Sequence, residues 1–312
     1  MSMVPDSRLP GSPPADSVNV DRELENFQDI ARYLLPQPGE LPQLRGIDVF
    51  GGVRALNGLI GGDHLIYVDF KQRFDLAARI RQAERDGRED MATNLARCAH
   101  TAGIALVDVA GHRMTDALLT AMFHQAFLLG AAYELDTCGQ VTKHLFENLN
   151  TRFYQSSAAH KFITLIYGEI SEDARFRFLS AGHPFPTVFS VAHDRFMDVS
   201  EESRVAFPPL GLQPLLHAID REMLPASLLG FKDHYETNEW RLMGQGDILL
   251  MHTDGLVDHS RGDEAYFPGH LEQVIRRMKG ETAHAIYDAI VEDVEAFAPP
   301  ADDLSVVVVK LV

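Results

Sequence analysis

The sequence is poor in the residues on which secreted proteins and nucleic-acid-binding proteins depend. It has two cysteines, Cys98 and Cys138, with no CxxC spacing, which argues against a disulfide framework and indicates reduced thiols in a cytoplasmic protein. Basic residues are scarce, because 28 Lys and Arg stand against 45 Asp and Glu and give a formal net charge of −17 at pH 7. We therefore expect no nucleic acid and no membrane surface among its partners.

Segments that target a protein or span a membrane are also lacking. Residues 1–20 contain several Pro and Ser but no apolar core, which predicts a disordered tail and no signal peptide. The long uncharged run over residues 117–133 only approaches the lower limit of about 17 residues for a membrane span, and it includes Thr120 and His124. We interpret this run as a buried helix of a soluble globular protein, in keeping with 46% apolar and 23% charged residues.

Periodicity and composition predict a mixture of helices and strands. Apolar residues follow helical spacing over residues 21–35, from Leu24 to Leu34, and Pro36 ends that helix. One or two further helices are predicted over residues 74–100, and one each over residues 114–133, 137–155, 271–279 and 282–297. Runs of β-branched and aromatic residues predict strands over residues 47–53, 64–70, 104–107, 162–170, 174–180, 186–191, 248–252 and 304–312.

Acidic residues recur where a predicted strand begins or meets a glycine turn. These positions are Asp63 after Gly61-Gly62, Asp108 after the strand 104–107, Asp254 before Gly255, and Asp302-Asp303 before the last strand. Singly, each fits an ordinary turn residue, and Asp108 also fits the cap of the helix that follows it. Together they indicate carboxylates that converge at one edge of a strand-rich core.

Converging carboxylates repel one another and require cations. All-oxygen ligation selects hard ions such as Mg²⁺ or Mn²⁺, and no His/Cys cluster with zinc-like spacing competes. Two such ions about 3.5–4 Å apart lower the pKa of a bridging water and stabilise a phosphoryl group under attack. Since the sequence lacks a Walker-type phosphate loop and a GxSxG nucleophile elbow, metal-assisted hydrolysis without a covalent intermediate fits best.

A series of short motifs places these acidic residues in a specific order. The motifs are Leu34-Leu35-Pro36, Gly61-Gly62-Asp63, Asp108-Val109-Ala110-Gly111-His112, Phe162-Ile163-Thr164-Leu165, Ala181-Gly182-His183-Pro184, Pro209-Leu210-Gly211, Gly246-Asp247 leading to Thr253-Asp254-Gly255, and Asp302-Asp303-Leu304-Ser305. The sequence resembles the metal-dependent Ser/Thr protein phosphatases, the PPM or protein phosphatase 2C-like superfamily, and more closely its bacterial SpoIIE/RsbU branch. The resemblance covers roughly residues 22–312.

This resemblance implies an α+β fold, a four-layer α-β-β-α sandwich of two antiparallel sheets flanked by helices. It also implies a centre of two Mn²⁺ or Mg²⁺ ions between the sheets. Carried over by motif, Asp108 would be the bridging ligand and catalytic residue, and the ligand set would be Asp63, Asp108, the backbone carbonyl of Val109, Asp254, Asp302 and Asp303. The phosphatase domain would span residues 21–312 after the tail 1–20, with an N-terminal helix over residues 21–35 and a helical insertion at about residues 74–100.

Two departures from the family pattern affect these expectations. The family usually has Gly after the His of its second motif, whereas this sequence has Arg113, which would contact phosphoryl oxygens bidentately or face solvent. The stretch between Asp63 and Asp108 is longer than usual because of the insertion. The charged residues of that insertion fit either a solvated helical face or a docking element for a partner.

The resemblance implies hydrolysis of phosphoserine or phosphothreonine on a phosphoprotein substrate. By family analogy this substrate would be a regulatory protein, such as a STAS-type anti-sigma factor antagonist. Two alternatives stay open: a non-catalytic PPM-like regulator that binds a partner through the helix over residues 21–35 or the insertion, and a hydrolase of a small phosphorylated metabolite. The N-terminal helix also offers a contact for a homodimer.

Overall fold

The β-branched and aromatic runs of the sequence form two stacked sheets, and helices cover the outer face of each sheet. The computed structural model describes residues 26, 32–36, 39–56, 61–110, 114–156, 161–200, 204–241 and 244–312. Within these residues the layers follow the order helices, sheet, sheet, helices. This arrangement confirms the predicted four-layer α+β sandwich.

The bounds of the elements agree with most of the predicted segments. The strands are β1 (Ile47–Arg54), β2 (Asp63–Asp69), β3 (Thr101–Val109), β4 (Ile163–Ser171), β5 (Phe176–Ala181), β6 (Thr187–Ser190), β7 (Arg195–Phe196), β8 (Ala206–Phe207), β9 (Asn238–Trp240), β10 (Ile248–His252), β11 (Ser260–Arg261), β12 (Glu264–Ala265) and β13 (Leu304–Leu311). The helices are α1 (Phe70–Arg73), α2 (Leu76–Arg85), α3 (Glu89–Cys98), α4 (Met114–Thr137), α5 (Lys143–Ser156), α6 (Asp254–Val257), α7 (Gly269–Met278) and α8 (Ala283–Phe297). Short 3-10 helices cover Arg32–Leu34 and Arg221–Met223.

The two sheets are each built around one long buried strand. The β3 sheet has the order β2-β3-β4-β5-β8, with β9 also paired to β5, and the β13 sheet has the order β1-β13-β10-β6-β7. Neighbouring strands in both sheets are antiparallel except β8, which runs parallel to β5. The chain reaches β8 only after passing through β6 and β7 of the other sheet, so no hairpin joins β5 to β8. One short edge pairing therefore departs from the antiparallel pattern.

Strand β3 lies at the centre of the molecule, and its residues 104–107 are fully buried. Leu106 faces the space between the sheets, where it belongs to the same apolar cluster as Leu65 and Val307. Val107 belongs to the cluster under helices α2 to α5, while helices α7 and α8 cover the β13 sheet. Burial on both faces explains why this strand is apolar without alternation.

Helix α4 differs from the prediction of a wholly buried helix over residues 117–133. Its inner face buries Phe123, Phe127 and Leu135 against the β3 sheet. Its outer face exposes large apolar side chains, namely Leu118, Met122, Leu129 and Tyr133. A helix in an outer layer contacts the sheet with one stripe only, and the uncharged composition of this run conceals which face that is. Among the described helices none is long and apolar enough to cross a membrane.

Two further boundaries are set by glycines with positive φ. Helix α4 ends at Thr137 and α5 begins only at Lys143, because Gly139 adopts a φ of +74° and its amide closes on the Glu134 carbonyl at 3.1 Å. The helical stretch predicted over residues 74–100 is divided into α2 and α3 at Gly87, which has a φ of +68°. The sequence therefore located α2 to α5, α7 and α8, but it placed the start of α5 too early and missed the one-turn helices α1 and α6.

The predicted N-terminal segments are only partly described. Of the helix predicted over residues 21–35, the structure describes residue 26 and residues 32–35, and Arg32–Leu34 forms a 3-10 helix. The rest of that segment and the predicted tail over residues 1–20 lie outside the described residues.

The one-sided burial of α4 makes a prediction that two leucines of this helix can test. Leu135 is 0% exposed and Leu129 is 74% exposed. We expect Leu135→Ala to lower the free energy of unfolding by about 2–5 kcal/mol, because it leaves a cavity, and Leu129→Ala to change it by less than about 0.5 kcal/mol. Equilibrium unfolding in urea measures both effects. Equal losses would mean that both faces of α4 are covered.

Candidate metal centre

Two aspartates face each other across the β2–β3 pair. Asp63 is the first residue of β2 and lies directly opposite Asp108, near the end of β3. Residues opposite each other in an antiparallel pair project from the same face, with Cβ atoms about 4.5–5.5 Å apart. Two like charges therefore approach each other in a largely buried position. Because Asp108 and Val109 both lie within β3, Asp108 does not cap α4.

The surroundings of Asp63 oppose its ionisation. Burial raises the pKa of Asp63 well above its ordinary value of 3.8, and the charge of Asp108 raises it further. Thr253 Oγ1 and Ser305 Oγ donate to Asp63 Oδ2 at 2.8 and 2.7 Å and offset part of this effect. Thr253 follows β10 and Ser305 lies in β13, so the β13 sheet supplies the hydrogen bonds for an acid of the β3 sheet.

A second pair of aspartates lies where β10 ends and β13 begins. Asp254 is the first residue of α6, and Asp302 lies just before β13. Strands β10 and β13 are antiparallel neighbours, so these two ends meet. Burial raises the pKa of Asp254, and the charges of Asp302 and Asp258 raise it further. The sheet topology thus brings the predicted acids together as two pairs at one end of the sandwich.

Asp303 connects the two sheets through backbone hydrogen bonds. Its Oδ1 accepts from the Leu56 amide at 2.7 Å, and its Oδ2 accepts from the amides of Gly62 and Asp63 at 2.7 and 3.3 Å. A Cβ atom on Gly61 would lie 1.8 Å from Asp303 Oδ2, which explains the glycine at that position. Through these hydrogen bonds Asp303 holds the turn before β2 in place, and we call this set of contacts the Asp303 brace. The metal-ligand role implied for Asp303 by the family resemblance stays a prediction.

The Val109 carbonyl lies where the ladder between β2 and β3 stops. The Val109 amide donates to the Gly62 carbonyl at 3.1 Å. The Gly62 amide, which would return a bond to the Val109 carbonyl in a continued ladder, donates to Asp303 instead. The Ala110 amide donates to the Phe162 carbonyl at 3.1 Å, and because the peptide is planar and trans, the Val109 carbonyl points away from β4. A backbone oxygen is therefore directed toward the side of β3 on which Asp63 lies.

The donor chemistry of this end of the sandwich suits a hard divalent ion, although the side chains do not form a closed cage. Within the part of the chain that the structure describes, no three His, Cys, Asp or Glu side chains form a group that can hold a metal ion. Mg²⁺ in proteins uses one or two carboxylates and keeps several waters. The pair Asp63 and Asp108, with the Val109 carbonyl, and the pair Asp254 and Asp302 both fit that requirement. Arg113, the predicted phosphate contact, lies outside the described residues.

The sequence and the fold can both be matched to known proteins. Residues 99–312 match the family model described as Stage II sporulation protein E (SpoIIE). The chain belongs to the SpoIIE family. It is 29% identical over 161 residues to the phosphoserine phosphatase RsbP of Bacillus subtilis (strain 168), a match that covers 51% of this chain and 34% of RsbP. The chain thus spans about a third of the length of that relative.

Solved structures share the fold of this SpoIIE-family chain. The SiaA-PP2C domain of Pseudomonas aeruginosa matches with a TM-score of 0.62 at 14% identity, over 95% of this chain and 98% of that domain. The RsbU and RsbW domains of Rv1364c from Mycobacterium tuberculosis match with a TM-score of 0.60 at 15% identity, over 88% of this chain and 64% of that chain. At such identities the likeness shows the fold. It confirms the predicted sandwich fold. The match to the family model confirms the SpoIIE/RsbU branch that the motifs predicted.

Two other motifs of the SpoIIE-family chain pack against each other beside the centre. Gly182 has a φ of +67°, and a Cβ atom there would lie 2.4 Å from Cγ of Pro209. Leu210 exchanges backbone hydrogen bonds at 2.8 and 3.0 Å with Ile163, the first residue of β4, ahead of the part of β4 that pairs with β5. His183 is buried and its Nδ1 lies 2.9 Å from Thr164 Oγ1. These contacts are those of packing and turn elements.

Sequence reasoning missed the groups that hold the carboxylates in place. Thr253 and Ser305 belong to the quoted motifs, so their position beside acidic residues was a signal that pointed to them. Lys161 carried no such signal. It donates to the Ala110 carbonyl at 2.8 Å and forms an ion pair with the buried Asp116, and neither periodicity nor a motif links these positions.

A cleft of about 680 Å³ lies away from the centre, at the opposite end of the β3 sheet. Thr101 at the start of β3 and Ser171 at the end of β4 line it, whereas the candidate centre lies at the other ends of these strands. Its charges neutralise one another in part, as in the 2.6 Å ion pair of Arg177 with Glu169. The size of this cleft does not make it the better candidate, because it contains none of the converging aspartates.

The bracing role of Asp303 predicts a loss of stability that does not depend on a bound metal. Asp303→Ala would leave the amides of Leu56, Gly62 and Asp63 without their acceptor, and we expect it to lower the free energy of unfolding by about 2–4 kcal/mol. Asp302→Ala should have a smaller effect. Urea unfolding in the presence of a chelator measures both variants. Equal effects of the two substitutions would contradict the brace.

The raised pKa of Asp63 predicts a specific pH dependence of the metal-free protein. Because the folded-state pKa lies above the unfolded value, the stabilising contribution is complete below the unfolded pKa and is lost as the pH rises through the folded pKa. Asp63→Asn removes this contribution. The difference in unfolding free energy between Asp63→Asn and the parent protein should therefore shift in favour of the variant from about pH 5 to about pH 8. A difference that is constant over this range in chelator would exclude the effect.

Proposed function

We propose that this SpoIIE-family chain is a metal-dependent serine/threonine phosphatase that hydrolyses phosphoserine or phosphothreonine on a protein. The observation that carries the proposal is the opposition of Asp63 and Asp108 in a buried register pair, with a second pair of aspartates at the same end of the sandwich. A protein gains nothing in stability from burying like charges next to each other. The arrangement is what a site for divalent cations requires.

The residues around the centre have distinct roles in this proposal. Asp63, Asp108 and the Val109 carbonyl would bind on the side of the β3 sheet, while Asp254 and Asp302 would bind on the side of the β13 sheet. Thr253 and Ser305 orient the Asp63 carboxylate through their hydroxyls. Two Mn²⁺ or Mg²⁺ ions would supply an activated water and offset charge on the phosphoryl group. Asp303 would hold the ligand-bearing turn.

A phosphorylated regulatory protein is the substrate class that we propose. RsbP is described as a phosphoserine phosphatase, and this chain is its relative over about half of its own length. A STAS-type anti-sigma factor antagonist is the specific substrate that the SpoIIE/RsbU branch suggests. Three further expectations stay predictions: the homodimer through the helix over residues 21–35, the phosphate contact of Arg113, and the cytoplasmic location. Arg113 and most of residues 21–35 lie outside the described residues.

Loss of a proposed ligand tests the function directly. We expect the parent protein to release phosphate from a phosphothreonine peptide and from p-nitrophenyl phosphate in the presence of Mn²⁺. Asp108→Asn and Asp254→Asn should each lower kcat/KM by about 100-fold or more, because each removes a negative ligand from the centre. The variants should keep the circular dichroism spectrum and the unfolding midpoint of a folded protein.

Asp194→Asn is the matched control for these variants. Asp194 is a partly exposed aspartate that pairs with Lys279 and Arg276, away from the centre. Its substitution should leave kcat/KM within about twofold, as expected of a surface change. Full activity in folded Asp108→Asn would contradict the proposal. Turnover of small phosphates together with no turnover of any phosphopeptide would favour a metabolite phosphatase.

A non-catalytic regulator is the second candidate, and one observation favours it. The described side chains do not form a closed cage for a metal ion. A chain of this kind would act by binding a partner, through the helix over residues 21–35 or through α2 and α3. Calorimetric titration with Mn²⁺ separates the two candidates, because the regulator would bind no Mn²⁺ at the centre and the phosphatase would bind it.

A further inference from the structure

An ion pair lies beside the candidate centre without being part of the ligand set. Lys161 Nζ donates to the Ala110 carbonyl at 2.8 Å and forms an ion pair with Asp116 Oδ1. The Asp116 side chain is 0% exposed and the Lys161 side chain is 23% exposed. Ala110 directly follows Val109, so the cation contacts the chain one residue beyond a candidate ligand.

A contribution to stability does not by itself explain why this ion pair is present. Moving two charges out of water is unfavourable, and their attraction offsets that effect only when the geometry is good. The geometric consequence is clear, because Lys161 joins Ala110, at the end of β3, to Asp116 in the first turn of α4. Lys161 therefore contacts the chain on both sides of positions 111–113, at Ala110 and at Asp116.

The same part of the chain fixes the peptide that carries the Val109 carbonyl. The Ala110 amide donates to the Phe162 carbonyl at 3.1 Å, and the Ala110 carbonyl accepts from Lys161. Lys161 and Phe162 are adjacent in sequence, so a single stretch before β4 orients two successive peptides after Val109. The Ala110 amide bond fixes the peptide plane that carries the Val109 oxygen, and the Lys161 bond fixes the next plane. Together the two bonds restrain the φ and ψ angles of Ala110, which lies between these planes.

Helix α4 is tied in turn to the strand on the other side of the centre. Thr120 Oγ1 lies within hydrogen-bond distance of two backbone oxygens, at 3.1 Å from that of Asp116 and at 3.3 Å from that of Gly62. The Gly62 oxygen also accepts from the Val109 amide at 3.1 Å. A continuous set of contacts therefore runs from Lys161 through α4 to the turn that precedes Asp63.

We propose that Lys161, held by Asp116, is a positioning residue of the candidate metal centre. It orients the Val109 carbonyl and sets α4 against Gly62, so that the affinity for divalent ions depends on it. This inference rests on the proposed function, because it presupposes that the centre binds a divalent ion. The direction in which the Mn²⁺ affinity changes when Lys161 is replaced distinguishes a positioning role from a purely electrostatic effect. A cation beside the centre repels Mn²⁺, so loss of its charge alone would tighten binding, whereas loss of positioning weakens binding.

Calorimetric titration of the full chain with Mn²⁺ tests the inference without an activity assay. We expect Lys161→Met to weaken Mn²⁺ binding about 10- to 100-fold, the range found when a partner of a metal ligand is removed. Lys161→Arg keeps a cationic donor and should recover part of the affinity. Lys279→Met is the matched control, since Lys279 pairs with Asp194 at 2.6 Å far from the centre, and this variant should bind Mn²⁺ like the parent protein.

Asp116→Asn provides a second, independent variant. It keeps the shape of residue 116 but removes the charge that holds Lys161, so it should also weaken Mn²⁺ binding. Combined with Lys161→Met, it should add less than the sum of the two single effects. If Lys161→Met does not fold, as judged by circular dichroism, the double variant decides the question, because it removes one charge of each sign and leaves no buried charge unpaired. Weaker Mn²⁺ binding by the folded double variant supports positioning, and unchanged binding overturns it.

The outcomes separate this inference from the proposed function. Unchanged or tighter Mn²⁺ binding in a folded Lys161→Met or Asp116→Asn variant overturns the positioning role, while Mn²⁺ binding by the parent protein leaves the proposed phosphatase intact. A parent protein that binds no Mn²⁺ overturns both.

Discussion

Backbone amides that converge on the carboxylate of Asp303 join the two sheets at one end. The Leu56 amide comes from the chain after β1, whereas the amides of Gly62 and Asp63 come from the start of β2. One side chain thereby connects the edge of the β13 sheet to the edge of the β3 sheet. The contact is so close that a Cβ atom on Gly61 would overlap the carboxylate. The glycine turn and the position of Asp63 are both consequences of this brace.

The brace has a chemical consequence because it brings acidic groups together. Asp63 faces Asp108 across a buried strand pair, and hydroxyls of the opposite sheet hold its carboxylate in place. Burial raises the pKa of Asp63, and the charge of Asp108 raises it further. A cation that binds in this region is attracted by both carboxylates and offsets the repulsion between them. In a SpoIIE-family chain, such an arrangement connects the fold to the proposed phosphatase chemistry.

Much of the fold could be predicted from the sequence because its buried strands are continuous runs of apolar residues. Residues 248–252 were predicted as a strand and form β10 with the same bounds, and the apolar run 104–107 is fully buried within β3. Helix α4 was predicted over most of its length, but the exposure of Leu129 was not, since an uncharged helix carries no polar stripe to mark its outer face. The start of α5 was misplaced because the termination of α4 depends on the positive φ of Gly139.

The sequence by itself determined where the strands lie and that an aspartate stands at the end of several of them, because both are local properties of composition and spacing. The tertiary structure alone decided the pairings, with Asp63 opposite Asp108 and Asp254 beside Asp302. It also decided that Asp303 turns its oxygens to backbone amides and that Lys161 reaches Ala110. Each of these contacts joins residues from separate strands or helices, and their distances are set by sheet order and register, which no local pattern in the chain encodes.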